Sequence, residues 1–211
     1  MNILDEIKDS IIGMQREKAR DLTQKALDGG MDAEKILHKS LIPAMETVGR
    51  EYEEGIKFIP EILIASKAMK NALELLKPIL ASSGSKSEGK VVLGTVEGDV
   101  HDIGINLVGM MLEGAGFEIL QLGPDTSAED FIQAIKDTKA DILGLSALLT
   151  TTMTKMKDII EALKKEGIRD SIKVMVGGAT LNQKSADDFG ADGYASDAAQ
   201  ASVLAKKLIK A

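Results

Sequence analysis

Residues 90–104 read KVVLGTVEGDVHDIG. The run from Val91 to Val96 is apolar almost throughout and rich in β-branched residues, the composition of a strand buried on both faces of a parallel sheet. It gives way at Glu97 to a polar turn held between Gly98 and Gly104, and the pattern from Ile103 onward is helical. A strand, a polar turn and a helix in that order open a βα unit.

Working outward, the same alternation repeats. Short apolar runs recur as FEILQLG from Phe117, ADILGLSA from Ala140, KVMVGG from Lys173 and ADGYAS from Ala191. Helix-like segments fall near residues 103–113, 128–138, 152–166, 182–189 and 197–210. Five βα units predict a Rossmann-like, flavodoxin-like doubly wound α/β domain over residues 90–211, with five parallel strands and a ligand crevice at their carboxyl ends.

The part before it has a different period. Ile3, Ile7, Ile11 and Met14, then Leu22 and Ala26, then Ile36, Leu37 and Leu41 recur at helical spacing. Gly29-Gly30 reads as a helix end, Asp32 as an N-cap, Gly55 as a break and Pro60 as a first-turn residue. The last helix carries Ile62, Ala65, Met69, Leu73 and Leu76 on one stripe, with Pro78 expected to stop it. Residues 1–80 therefore predict a four-helix bundle. ASSGSKSEG, residues 81–89, has the small, polar composition of a flexible linker and hinge. The fold class is a two-domain α+β chain.

Composition narrows the chemistry. The chain has 211 residues, 26 Lys and Arg against 33 Asp and Glu, and a net charge of −7, divided as −2 up to Gly89 and −5 beyond it. Neither half offers the basic face that nucleic-acid binding needs. There is no cysteine, which excludes disulfides, Cys-ligated metal and thiol nucleophiles and is compatible with a reducing compartment. No apolar stretch approaches the roughly 18 residues of a membrane span, and the amino terminus lacks a signal-peptide core. The expectation is a cytoplasmic protein with no membrane and no nucleic-acid partner.

Two histidines are present. His38, in AEKILHKSL, reads as a surface residue of a charged helix. His101, between Asp99 and Asp102 on the turn after the first strand, reads differently. Asp99 can bind one ring nitrogen, fix the tautomer and leave the other lone pair free for a metal. One imidazole cannot hold a bare zinc or iron ion, which needs three or four protein ligands. The metal would have to arrive already coordinated, as in a tetrapyrrole-type cofactor. The same residues also admit plainer readings: Asp99 or Asp102 as an N-cap, and Gly177-Gly178 as a phosphate-binding turn. Glu51, Glu53 and Glu54 read as a solvated helix end.

Asp99-Val100-His101-Asp102-Ile103-Gly104 resembles the D-x-H-x-x-G signature of cobalamin-binding domains. Ser146-Ala147-Leu148 resembles the family's S-x-L after the third strand, and Gly177-Gly178 its glycine pair after the fourth. The segment from Pro43 to Pro78 is similar to the helical cap that precedes this domain in methionine synthase and in small corrinoid proteins. The resemblance implies cobalamin or a related corrinoid bound base-off/His-on, with His101 as lower axial ligand of cobalt. It implies a ligand relay of Asp99, His101 and Thr152, the last standing where methionine synthase has a serine. Gly98, Val100, Asp102, Ile103, Gly104, Ser146, Leu148, Thr150, Gly177 and Gly178 would line the cofactor and the slot for its displaced tail. Phe58, Ile62, Ala65 and Met69 would be cap residues.

The implied function is that of a methyl carrier, not catalytic alone. It would accept a methyl group on Co(I) from a substrate:corrinoid methyltransferase of methylamine, methanol, methoxyarene or glycine betaine type. A second methyltransferase would pass the group to tetrahydrofolate or a thiol such as coenzyme M, and a reductive activase would serve as a third partner. A carbon-skeleton mutase subunit, a cobalamin sensor and a storage protein share the motif and are the alternative readings.

Overall fold

The computed structural model describes residues 2–83 and 87–210, which divide into two compact units, a helical one made of the residues up to 83 with Gly114–Gly116, and an α/β one made of the rest from Ser87. In the helical unit, Asn2 caps α1 (Ile3–Ile12), and α2 (Arg16–Asp28) ends at Gly29-Gly30, where Gly30 takes a left-handed φ of 78°. The Asp32 carboxylate accepts the Lys35 amide and starts α3 (Ala33–Ile36). The helix then widens into one π-turn (Leu37–Leu41) and runs on as α4 (Ile42–Glu53). α5 (Ile59–Ser83) has Pro60 in its first turn, and the Glu61 carboxylate accepts the Phe58 amide at 2.7 Å, half of a capping box. Among the described residues this makes four continuous helical runs, as the spacing predicts. Ile7, Ile11, Ile36, Leu41, Met45, Ile62, Met69 and Leu76 are buried.

Pro78 does not stop α5. The helix passes it and continues to Ser83, so the first three residues of the expected linker are helical. Proline deprives the Glu74 carbonyl of its donor and crowds it. Here Pro78 and Glu74 both lie on the exposed face, open to solvent, while Ala65, Ala68, Ala72 and Leu76 anchor the opposite face. The remainder of that linker includes residues 84–86, outside the described residues.

In the second unit the strands are β1 (Lys90–Val96), β2 (Glu118–Thr126), β3 (Ile142–Ser146), β4 (Lys173–Gly177) and β5 (Gly193–Ala195). They form one parallel sheet in the order β2-β1-β3-β4-β5. The helices are α6 (Ile103–Gly114), α7 (Ala128–Thr138), α8 (Lys155–Lys165), α9 (Gln183–Phe189) and α10 (Ala198–Leu208). Val92, Leu143, Leu145, Val174 and Val176 pack with Phe131, Met156 and Ile160 into a dry core. Such strands, buried from both sides, are the reason the sequence shows uninterrupted apolar runs. The strand order reverses between β1 and β3, so the loops leaving these two strands flank the crevice at their carboxyl ends. Among the described residues no helix is long and apolar enough to cross a membrane.

Candidate functional site

The switch point brings together the two loops that matter. Gly98 turns the chain after β1 with a left-handed φ of 82°, which places the next carboxylate, Asp99, fully out of solvent. Asp99 Oδ1 accepts the His101 amide at 3.0 Å and lies 2.7 Å from His101 Nδ1. Asp99 Oδ2 accepts the Leu148 amide at 2.7 Å, the Leu149 amide at 3.4 Å and the Thr152 hydroxyl at 2.7 Å, all from the loop after β3. The two oxygens thus divide between two loops and hold them against each other.

Thr152 precedes α8. The helix starts at Lys155, three residues later than the spacing suggests, which leaves Thr152 in a turn with its hydroxyl directed at the carboxylate. The hydroxyl also sits 3.1 Å from the Leu149 carbonyl, but it has one proton, and the ionised acceptor at 2.7 Å is the stronger.

Burial works against the Asp99 charge, yet the Leu148 amide, the Thr152 hydroxyl and the His101 amide and ring outweigh it and hold the carboxyl well below the usual range. Asp99 is therefore a fixed anion. Of the two neutral tautomers, an anion at Nδ1 favours the one with the ring proton there and the lone pair on Nε2. The imidazole itself is 46% exposed, so Nε2 is available to an external ligand.

The surroundings of His101 are apolar and open. Val100 is 70% and Ile103 74% exposed, and Leu148 and Leu149 are exposed on the loop that binds Asp99. Leu149 was not legible as a site residue, because nothing in its spacing separates it from core leucines. Asp102 is half-buried, and its backbone carbonyl, not its side chain, receives the Asn106 amide of α6. Gly104 is exposed in the first turn of α6.

Ser146 ends β3, in register with Thr95 of β1 and Gly177 of β4, and Thr150 is exposed on the loop beyond. Gly178 has a φ of 138°, and a Cβ there would overlap the Ala147 carbonyl; a Cβ on Gly177 would lie 3.0 Å from the Ala195 carbonyl. The pair is thus required by close backbone approach between neighbouring loops. Two residues further, the Thr180 hydroxyl is buried with no partner. In the helical unit, Phe58 is 64% exposed before α5, whereas Ile62, Ala65 and Met69 are buried. His38 is exposed, as expected, on the π-turn. Glu51 pairs with Lys57 at 3.3 Å instead of standing free in solvent.

No group of three or more His, Cys, Asp or Glu side chains among the described residues is placed to hold a metal ion. His101 offers one nitrogen, which suits a metal whose other positions are already filled. The apolar, exposed frame of Val100, Ile103, Leu148 and Leu149 suits the flat face of a macrocycle, and the orphaned Thr180 hydroxyl suits a polar appendage. The residues present therefore fit a corrinoid. Fold and site together define an α/β domain that presents one carboxylate-braced imidazole at the crevice of its sheet.

Comparison with known proteins agrees. The B12 binding domain family matches residues 89–203, and a second B12 binding domain family matches residues 3–77. A corrinoid protein of Desulfitobacterium hafniense is 44% identical over 99% of this chain and 98% of its own length. Dimethylamine corrinoid protein 3 of Methanosarcina acetivorans is 44% identical over 98% of this chain and 97% of its own. Among solved structures, the methanol:cobalamin methyltransferase complex of Methanosarcina barkeri superposes with a TM-score of 0.86 at 32% identity, covering 99% of this chain and 80% of that one. A cobalamin-binding protein of D. hafniense gives 0.80 at 29% identity, covering 97% and 98%. The chain belongs to the B12-binding corrinoid proteins.

Proposed function

We propose that this chain is the methyl-carrying corrinoid subunit of a multi-component methyltransferase system, with a methylated amine or methanol as the ultimate donor. The observation that carries the reading is the Thr152–Asp99–His101 chain, with 2.7 Å at both links, in a protein whose relatives are named for dimethylamine and trimethylamine. When bound, the corrinoid supplies the cobalt that takes up and gives back the methyl group.

The chain's own residues do the rest. His101 Nε2 would hold the cobalt of a corrinoid bound base-off/His-on, and Asp99 holds the ring's tautomer and orientation. Val100, Ile103, Leu148 and Leu149 would lie against the bound macrocycle and exclude water around the ligating nitrogen. Ser146, Thr150 and Thr180 offer hydroxyls to the displaced tail beside Gly177 and Gly178. Phe58, exposed before α5 in the helical unit, is the cap residue that the resemblance assigns. The partners are a substrate:corrinoid methyltransferase, a second methyltransferase that delivers to tetrahydrofolate or a thiol such as coenzyme M, and a reductive activase.

The test is transfer of a labelled methyl group. The reduced, cobalamin-loaded protein is incubated with ¹³C-labelled methanol, mono-, di- or trimethylamine and the corresponding donor-side methyltransferase. Label is expected on the carrier with one of these donor and enzyme pairs and absent with His101→Ala. Tight cobalamin binding without label from any donor would refute methyl carriage.

A further inference from the structure

Asp125 has no place in the corrinoid motif, and its backbone is unusual. It is one of three non-glycine residues with positive φ among the described residues, at 53°. Lys139 is a helix C-cap and Met14 follows the end of α1, whereas Asp125 lies inside β2. A left-handed residue within a strand requires compensation. The compensation is a pair of hydrogen bonds to the loop that carries the histidine. Asp125 Oδ1 accepts the Gly98 amide at 2.7 Å, and the Asp125 amide donates to the Asp99 carbonyl at 2.9 Å.

The sheet is shaped to allow this. β1 and β2 pair in register from Lys90 with Glu118 to Leu93 with Gln121; then Gly94 pairs with Gly123 and Val96 with Thr126. β2 thereby gains one residue at each of two irregularities. Bulges of this kind re-aim side chains beside functional sites. Here they carry Asp125 alongside the Gly98-Asp99 turn.

We infer that Asp125 is a positioning residue for the axial histidine: its carboxylate and amide clamp Gly98 and Asp99 so that Asp99 stays shared between His101 and the β3 loop. The inference rests on the corrinoid reading above for its effect on binding, but not for the clamp itself.

The full-length protein supplies the test in two parts. In the ligand-free protein, the Gly98 amide lies in an exposed turn, and amide exchange followed by NMR should show it protected. Rapid exchange there in the wild type overturns the clamp, whether or not cobalamin binds. Asp125→Gly keeps the left-handed backbone but removes the acceptor. It should release the Gly98 amide, speed exchange at Leu148 and weaken hydroxocobalamin binding about tenfold, as expected for one charge-assisted hydrogen bond at an exposed site. Asp125→Asn, which retains an acceptor, should restore protection and binding to within about twofold. If Asp125 acts through the histidine, its effect should vanish in a His101→Ala background, so that Asp125→Gly then changes affinity less than about twofold. An undiminished tenfold effect in that background, or unchanged exchange and affinity in Asp125→Gly alone, overturns the proposal. Protected exchange in a protein that binds no cobalamin would leave the clamp standing and remove the corrinoid reading.

Discussion

Replacing Thr152 by Val removes one hydroxyl donor from the buried Asp99 carboxylate and leaves the side-chain shape nearly unchanged. Asp99 is fully buried and ionised, and the Thr152 hydroxyl is one of two donors within 2.7 Å of Oδ2. Losing a hydrogen bond to a buried charge costs about 1.5–3 kcal/mol, and the valine methyl offers nothing in exchange. The expected destabilisation of the α/β unit is therefore about 2 kcal/mol, read as a lower urea midpoint at unchanged slope.

Its pH dependence has a definite sign. Asp99 has a folded-state pKa below its unfolded value, so its stabilisation is fully present above the ordinary carboxylate range of about pH 4 and is lost as the pH falls through the folded-state value. The valine variant raises that value. Its deficit should hold constant at neutral pH and narrow only where the pH drops through the variant's own, still lowered, Asp99 pKa. Thr152→Ser should recover most of the loss. A valine variant as stable as the wild type, or a serine variant as unstable as the valine one, would refute the assignment of this hydroxyl.

Other substitutions test other parts of the account. Gly178→Ala should destabilise the protein by roughly 3 kcal/mol or more, because only glycine occupies its φ comfortably and the added Cβ meets the Ala147 carbonyl. Gly177→Ala should cost clearly less in the same melts, and equal effects would contradict the packing given for the pair. Pro78→Ala restores a donor to the Glu74 carbonyl inside α5 and should stabilise the helical unit by about 1 kcal/mol or more, after the loss of proline's restraint on the unfolded chain; a lower melting temperature would show that the proline is needed there. His101→Ala removes the ring donor from the Asp99 carboxylate and should cost about 1.5–3 kcal/mol, so binding is compared at temperatures where the variant is shown to be folded, and loss of binding there reports ligation.

Much of this fold was legible because its physics is local. β1 falls at Lys90–Val96, as the run KVVLGTV indicates, since a strand covered on both faces must be apolar throughout. His101 and Asp99 were legible because two acids and an imidazole between glycines after such a strand have few uses. The misses have non-local causes. Pro78 looks like a stop to a rule that sees only the backbone, but its exposure and the anchored opposite face decide otherwise. The π-turn at Leu37–Leu41 is hidden because the apolar spacing runs through it unbroken. Asp125 lies beyond the run FEILQLG and draws no reading from the sequence, because only the two irregularities in the β1–β2 pairing bring it to Gly98. The reason for glycine at 177 and 178 is also non-local: the Ala195 and Ala147 carbonyls take the space that a Cβ would need.

The central claim is that His101 supplies the axial nitrogen to a bound corrinoid. Its most direct test is the electron paramagnetic resonance spectrum of the Co(II) cobalamin-loaded protein prepared with ¹⁵N-labelled histidine, beside unlabelled protein and His101→Ala. The account predicts nitrogen splitting that changes from three lines to two on labelling and is lost with His101→Ala, because the coordinating nitrogen belongs to the protein. Splitting indifferent to the label, as the cofactor's own base would give, would contradict it.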